Sequence, residues 1–250
     1  MIIDYHKPNT LDEALALLNK PKTLPLGGGT VLSKATPDPV SVVDLQRLGL
    51  DALRVTGSDL VIGATCTLQS LLEFDQTPAA LRSAIKLEAP LNLRNSATAA
   101  GALVAGDGRS TFVTMLLALD AKIEQKFLEG TEVKSQTTGI SDFILTHPKG
   151  LITSVTIPLN TKTAFDYVSR TPADKPIVCA ALAQWNSGRS RLALGGYGKN
   201  PLLAMDGTEG DGVDIAASNA YHEAADEYAS AEYRMETASV LAKRCMESLG

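Results

Sequence analysis

Two glycine-rich turns constrain this 250-residue chain more than any other feature: Pro25-Leu26-Gly27-Gly28-Gly29-Thr30 and Thr98-Ala99-Ala100-Gly101-Ala102. Glycine has no Cβ and enters φ > 0 freely. Consecutive backbone N–H groups in such a turn can therefore converge on one anion, with a neighbouring threonine hydroxyl as a further donor. The pattern points to phosphate, and so to a nucleotide-type cofactor. A lone Gly-Gly-Thr run also serves as an ordinary tight turn, so each turn taken singly leaves both readings open.

Familiar phosphate motifs do not account for the turns. The first lacks the Lys-Ser/Thr pair of a P-loop, and neither has the G-x-G-x-x-G spacing of a dinucleotide-binding Rossmann unit. Charge narrows the partners: 23 basic against 28 acidic residues give a net charge of −5 with no long basic run. That balance argues against nucleic acid or an anionic membrane as the main partner. Cys66, Cys179 and Cys245 lie too far apart for a zinc site or an iron–sulfur cluster on this chain alone, and read as buried thiols of a reducing compartment. Cys66 has no basic neighbour in sequence to make it reactive. His6, His147 and His222 lack metal-ligand spacing. The acidic stretch 206–214 lacks the ligand order of an EF-hand and reads as a solvated turn. No leader of charged-then-apolar type opens the chain and no apolar run spans a bilayer, so a cytoplasmic protein without a membrane span is expected.

Periodicity outlines the elements. Thr10-Leu11-Asp12-Glu13 has capping-box spacing, and Leu11, Ala14, Leu15 and Leu18 share a face, so a short helix starts here and stops near Asn19–Pro21. Strands are expected just before the first glycine turn, at Ser41–Leu45 and at Leu60–Gly63. Thr67 is placed as a helix cap, Pro78 at the first position of a helix running to Glu88, and Pro90 as its end. After the second glycine turn, an apolar helix over Ser110–Leu119 leads into a strand at Lys122–Phe127. Leu151–Pro158, Ile177–Trp185 and Arg191–Gly195 are β-branched or apolar runs expected to share an antiparallel sheet. A last helix over Ser230–Leu249 is expected to keep Tyr233, Thr237, Val240 and Leu241 on one face. Arg234 and Asp174 are candidates either for a cofactor or partner contact or for an ion pair tying that helix to the sheet.

Several separated segments together resemble the FAD-binding (medium) subunit of the molybdenum hydroxylases, the xanthine dehydrogenase and carbon monoxide dehydrogenase family. Leu26-Gly27-Gly28-Gly29-Thr30-Val31-Leu32 is similar to that family's L-A-G-G-T-D/S-L. Ile62-Gly63-Ala64-Thr65-Cys66-Thr67 is similar to its I-G-A-x-T-T. Leu93-Arg94-Asn95-Ser96-Ala97-Thr98-Ala99-Ala100-Gly101-Ala102-Leu103 resembles its I-R-N-x-A/G-T-I-G-G-N-L, in the same order and spacing. Ala105-Gly106-Asp107-Gly108-Arg109-Ser110 with Leu116–Ala121, then Phe165–Arg170 with Asp174, and Ser230–Arg234 extend the likeness over nearly the whole chain.

The resemblance implies an α+β fold with two small α/β subdomains clasping FAD, the PCMH-type FAD-binding fold, plus a C-terminal antiparallel sheet with helices. The divisions it suggests are residues 1–56, 57–160 and 161–250. Both loops would hold the FAD pyrophosphate, and Asp107 would contact a ribose or fix its loop. The family's Gly and Asn are replaced by Ala100 and Ala102, Val31 stands where Asp or Ser is usual, and Arg109-Ser110-Thr111 replaces Pro-Ala-x-Asp. Arg109 would then supply a compensating phosphate contact. The implied role is an FAD-dependent oxidoreductase subunit: electrons pass from a molybdopterin-containing large subunit, through a 2Fe-2S small subunit, to FAD and on to NAD or another acceptor. The alternatives are a degenerate flavin-fold assembly module that keeps no FAD, favoured by Val31, Ala100 and Ala102, and a stand-alone flavin reductase.

Overall fold

The computed structural model describes residues 1–33, 38–208, 210 and 212–250. Its strands form three sheets in chain order. The first contains β1 (Ile2–His6), β2 (Thr23–Leu26) and β3 (Val40–Asp44), all parallel, with β3 in the middle. Helix α1 (Leu11–Leu18) joins β1 to β2. The Thr10 side chain caps it by accepting the Glu13 N–H at 3.2 Å, and the Glu13 carboxylate reaches back to the Asn9 N–H at 3.0 Å. Both of those orphan donors of the first turn are thereby satisfied.

The second sheet is antiparallel, in the order β4 (Leu53–Thr56), β5 (Asp59–Gly63), β8 (Leu151–Pro158), β6 (Lys122–Glu129), β7 (Glu132–Gly139). Between β5 and β6 run α2 (Leu68–Glu73), α3 (Ala79–Glu88), α4 (Leu91–Arg94), α5 (Ala99–Ala105) and α6 (Thr111–Ala118); α7 (Ile140–Thr146) precedes β8. Caps at Thr67, Thr98 and Ser110 each take an N–H three residues on. Pro78 is the capping residue of α3 rather than its first helical position.

Two expectations fail here for stated reasons. The segment after Thr98 is helix α5, not a turn, because alanine is the best helix former and Thr98 caps it. β8 does not join the later strands. It sits between β5 and β6, buried on both faces, and a continuous apolar run cannot tell which sheet it enters. The division expected at residue 56 falls within the β4–β5 hairpin, while the first sheet ends at Asp44.

The third sheet, also antiparallel, runs β9 (Thr161–Val168), β10 (Val178–Trp185), β11 (Ser190–Gly195), β12 (Leu202–Gly207). Helices α8 (Val213–Ala220) and α9 (Ala231–Leu249) follow. β10 is buried on both faces with an alternation of size. Ala180 and Leu182 join the α8/α9 core, and Ala181 and Ala183 join the core of the second sheet. Alanine on that second face lets α6 approach β10 and β11 closely. The face of α9 differs from expectation. Arg234, Ala238, Leu241, Ala242 and Cys245 are buried, whereas Tyr233 and Val240 are exposed.

Ion pairs fasten the third sheet to the second. Arg191, almost fully buried, donates to the Leu117 carbonyl at 3.1 Å and to Ser141 Oγ at 3.0 Å. It also pairs with Asp206 at 2.5 Å and Asp120 at 3.3 Å, and Arg189 bridges the same two carboxylates. Asp206 is therefore a strand residue in an ion-pair network, not part of a solvated turn; Glu209 and Asp211 of the acidic stretch lie outside the described residues. Hydrogen bonds from Arg189, aided by the charges of Arg191 and Arg189, hold the Asp206 carboxyl below its ordinary 3.8. Because the folded value is depressed, this stabilisation is present above pH 3.8 and is lost as pH falls through the folded value. Asp206→Asn is expected to cost about 1–3 kcal/mol, since Asp120 still faces the buried guanidinium. Thermal melts across pH should show the gap from wild type open at neutral pH and closing below that value.

Candidate functional site

The C-terminal ends of β2 and β3 point at the second sheet, and a cleft of about 490 Å³ lies between them. Loop 27–32 forms one wall. Gly29 has φ +71°, the left-handed conformation that glycine takes at no steric cost. Gly28 has a different reason to be glycine. A Cβ there would overlap the Ser96 carbonyl oxygen, and one on Gly27 would meet Thr98 Oγ1 at 2.7 Å. The two segments singled out in the sequence are thus seated directly on each other.

Backbone accounting separates their roles. From Gly27 to Leu32, no backbone N–H finds an acceptor among the described residues. The loop offers a run of amides to the cleft it lines. At the start of α5 the situation is the reverse: Ala99 N–H donates to the Cys66 carbonyl at 2.8 Å, Ala100 N–H to Ala64 at 3.1 Å, and Gly101 N–H to Thr98 Oγ1 at 3.2 Å. The second segment spends its amides inside the protein. It presents to the cleft the Thr98 hydroxyl, still free to donate its proton, and the small surfaces of Ala100 and Gly101.

Gly27, Gly28, Gly29, Thr30, Val31, Leu32, Thr98, Ala100 and Gly101 all line the cleft. Leu26, at the end of β2, does not, and Ala99 and Ala102 pack into the core instead. The missing Asn side chain at position 102 is consequently missing from a core-facing site. Asp107 and Arg109 also lie outside the cleft lining. Asp107 Oδ1 accepts the Arg109 N–H at 3.0 Å and pairs with Lys175 at 3.3 Å, so it fixes its own loop. Arg109 reaches the third sheet, donating to the Lys175 carbonyl at 2.9 Å.

The opposite wall was not found from sequence. Gln125, Phe143, His147, Leu151 and Ile152 come from β6, α7 and β8, and no local pattern ties them to a glycine loop. Gln125 is buried but satisfied, donating to the Pro148 carbonyl at 2.9 Å and accepting from Gln136 at 3.2 Å. His147 closes α7 in a left-handed conformation, edge-on to Phe143. Among the described residues lining the cleft there is no Lys, Arg, Asp or Glu, so apart from His147 an anion there meets neutral donors only. Cys66 lies beside this region but fully buried. Burial pushes its thiol up to about 11, which keeps it protonated and unreactive. Arg234 is not at the cleft. It donates to the Ile177 and Gly196 carbonyls and pairs with Asp226 at 2.6 Å, not with Asp174, so it ties α9 to the sheet.

Residues 1–160 match the family described as the FAD binding domain in molybdopterin dehydrogenase. The chain belongs to this family. YgfM of Escherichia coli (strain K12), an uncharacterized protein, is 30% identical over 251 residues, covering 96% of this chain and 94% of YgfM. The carbon monoxide dehydrogenase medium chain of Afipia carboxidovorans is 28% identical over 274 residues, covering 98% of this chain and 95% of that one. The solved structure of reconstituted CO dehydrogenase from Oligotropha carboxidovorans superposes with a TM-score of 0.82 at 28% identity, over 98% of this chain and 96% of that chain. The cofactor of this family is FAD, and the cleft fits it: threonine hydroxyls and amides without acceptors among the described residues suit a pyrophosphate, and the apolar far wall suits an aromatic ring. No helix among the described residues is long and apolar enough to cross a membrane.

Because Gly28 lies against Ser96, Gly28→Ala must push the two segments apart. Overpacking of this kind costs about 1–3 kcal/mol, or roughly 2–12 °C in Tm for a chain of this size. FAD binding should weaken at least tenfold with it, by flavin fluorescence titration. Gly139→Ala, with open space around its Cβ and an ordinary φ of −66°, should change neither quantity.

Proposed function

We propose that this chain is the flavin-carrying electron-transfer subunit of a molybdenum hydroxylase. It receives electrons from iron–sulfur clusters on a small subunit, fed by a molybdopterin-containing large subunit, and passes them to NAD or another acceptor. The observation that carries this reading is the loop Gly27–Leu32, which lines a cleft between two sheets and whose backbone N–H groups have no acceptor among the described residues, in a chain of the FAD-binding family. Bound FAD would supply the capacity to take up and release electrons, which protein side chains lack.

The residues of this chain position and hold. The loop amides and the hydroxyls of Thr30, Thr65 and Thr98 take the pyrophosphate oxygens; the wall of Phe143, Leu151 and Ile152 excludes water from an aromatic ring. In this reading the chain works as three units built on the three sheets, divided between Asp44 and Leu53 and between Pro158 and Thr161.

The purified chain, incubated with FAD and desalted, should stay yellow, with close to one FAD released per chain on denaturation. Thr30→Val removes one hydroxyl donor to a charged group and should weaken FAD binding about tenfold. A chain that keeps no FAD even when co-purified with its partner subunits would be an assembly module. One that oxidises reduced nicotinamide with no partner present would be a free-standing flavin reductase.

A further inference from the structure

A second pocket, of about 280 Å³, opens where the loop before α6 meets the third sheet, and cations dominate it. Arg109, Arg170 and Lys175 line it with Asp174, Ile177 and Tyr228. We propose that this pocket binds the phosphate group of a small phosphorylated molecule, with Arg170 as a forked donor, Arg109 donating through Nη1 and Lys175 as a point charge.

The two guanidinium groups are held in place by contacts that leave donors pointing outward. Arg109 lies over the Tyr228 ring at 4.2 Å, and its Nε and Nη2 groups donate to the Lys175 and Pro176 carbonyls. Its Nη1 group has no acceptor among the described residues. Arg170 lies 5.4 Å from the same ring and donates only through Nη2, to the Tyr228 carbonyl at 3.3 Å. Both guanidinium groups are therefore pre-ordered around one aromatic ring, and less side-chain entropy remains to be lost on binding.

The ring itself is anchored. Asp226 Oδ1 accepts the Tyr228 and Ala229 N–H groups at 2.9 and 3.1 Å and pairs with fully buried Arg234. Lys175 is matched only by Asp107, in an exposed rim pair at 3.3 Å that costs little to exchange for a ligand oxygen. Asp174 has no ion-pair partner among the described residues, and with Asp107 at the rim two carboxylates stand against three cations. A tetrahedral phosphate has oxygens enough to accept from the Arg170 fork, Arg109 Nη1 and Lys175 at once, which a two-oxygen carboxylate does less well.

Arg109 was expected at the flavin pyrophosphate, and its place here removes it from that role. The proposal does not depend on the flavin reading, and its test keeps the two apart. Pyrophosphate is titrated by calorimetry, with and without saturating oxidised nicotinamide adenine dinucleotide, into the chain as purified and its Arg170→Gln and Lys175→Gln variants, and the dinucleotide alone into the same proteins. Pyrophosphate should bind the wild type and bind Arg170→Gln at least tenfold more weakly, with FAD content and Tm unchanged; Lys175→Gln should be intermediate. If the dinucleotide competes with pyrophosphate and shows the same loss, the phosphate belongs to a nucleotide; if it does not compete, the site takes free phosphate. Equal pyrophosphate binding by all three proteins, no binding by wild type, or release of FAD on binding would each overturn the proposal.

Discussion

The seating of Gly28 against the Ser96 carbonyl is the contact on which the rest depends. The first sheet has a small core, Ala14, Leu15, Val43 and Leu45, which closes only by packing against Leu151 of the second sheet. So few buried side chains cannot hold a three-stranded unit alone. Docking is what makes it stable, and the docking surface includes the loop whose amides face the cleft. A side chain at position 28 would separate the walls. The requirement for glycine there is thus set by approach of one backbone to another, while at Gly29 it is set by φ.

The third sheet is placed by two complementary devices. Alternating Ala and Leu along β10 produces a strand buried on both faces, with the thin face toward α6. The Arg189–Arg191–Asp120–Asp206 network then fixes the orientation with charged hydrogen bonds. Between them, the loop carrying Asp107 and Arg109 is pinned by backbone bonds from Gly108 N–H to the Gly198 carbonyl at 3.2 Å and from Gly196 N–H to the Gly108 carbonyl at 2.8 Å. That pinning carries Arg109 away from the cleft and onto Tyr228.

What could be read in the sequence follows the range of the interactions involved. Caps at Thr10 and Thr67 were legible because a side chain and an N–H three residues on decide them, whereas Ser110 and Ser230, also caps, read in sequence only as the first residues of their helices. In the first glycine loop the left-handed φ of Gly29 was legible as a local demand, whereas the contact of Gly28 with Ser96 was not. The second was misjudged because Gly101 looks like a turn signal, whereas the Cys66 and Ala64 carbonyls that satisfy the first amides of α5 are distant in sequence. The α9 face failed at Arg234, a cation that periodicity assigns to solvent but that two carbonyls and Asp226 hold in the core. The far wall of the cleft is wholly non-local: Gln125, Phe143 and Ile152 meet only because β8 inserts between β5 and β6.

The two cavities treat negative charge in opposite ways. In the cleft, converging amide dipoles and hydroxyls face the ligand without Lys or Arg among the described lining residues. Such donors are fixed by the backbone, lose little entropy and respond weakly to salt. They suit a resident cofactor that is loaded once. In the second pocket, side-chain cations sit at an open surface, where they attract an anion over distance and release it as screening rises. That arrangement suits a ligand that comes and goes. A chain of net charge −5 gains most from such a local reversal of sign, since diffusing anions are otherwise repelled from its surface. The placement of Arg109 in the second pocket rather than the first is what keeps the retaining and the exchanging functions from competing for one charge.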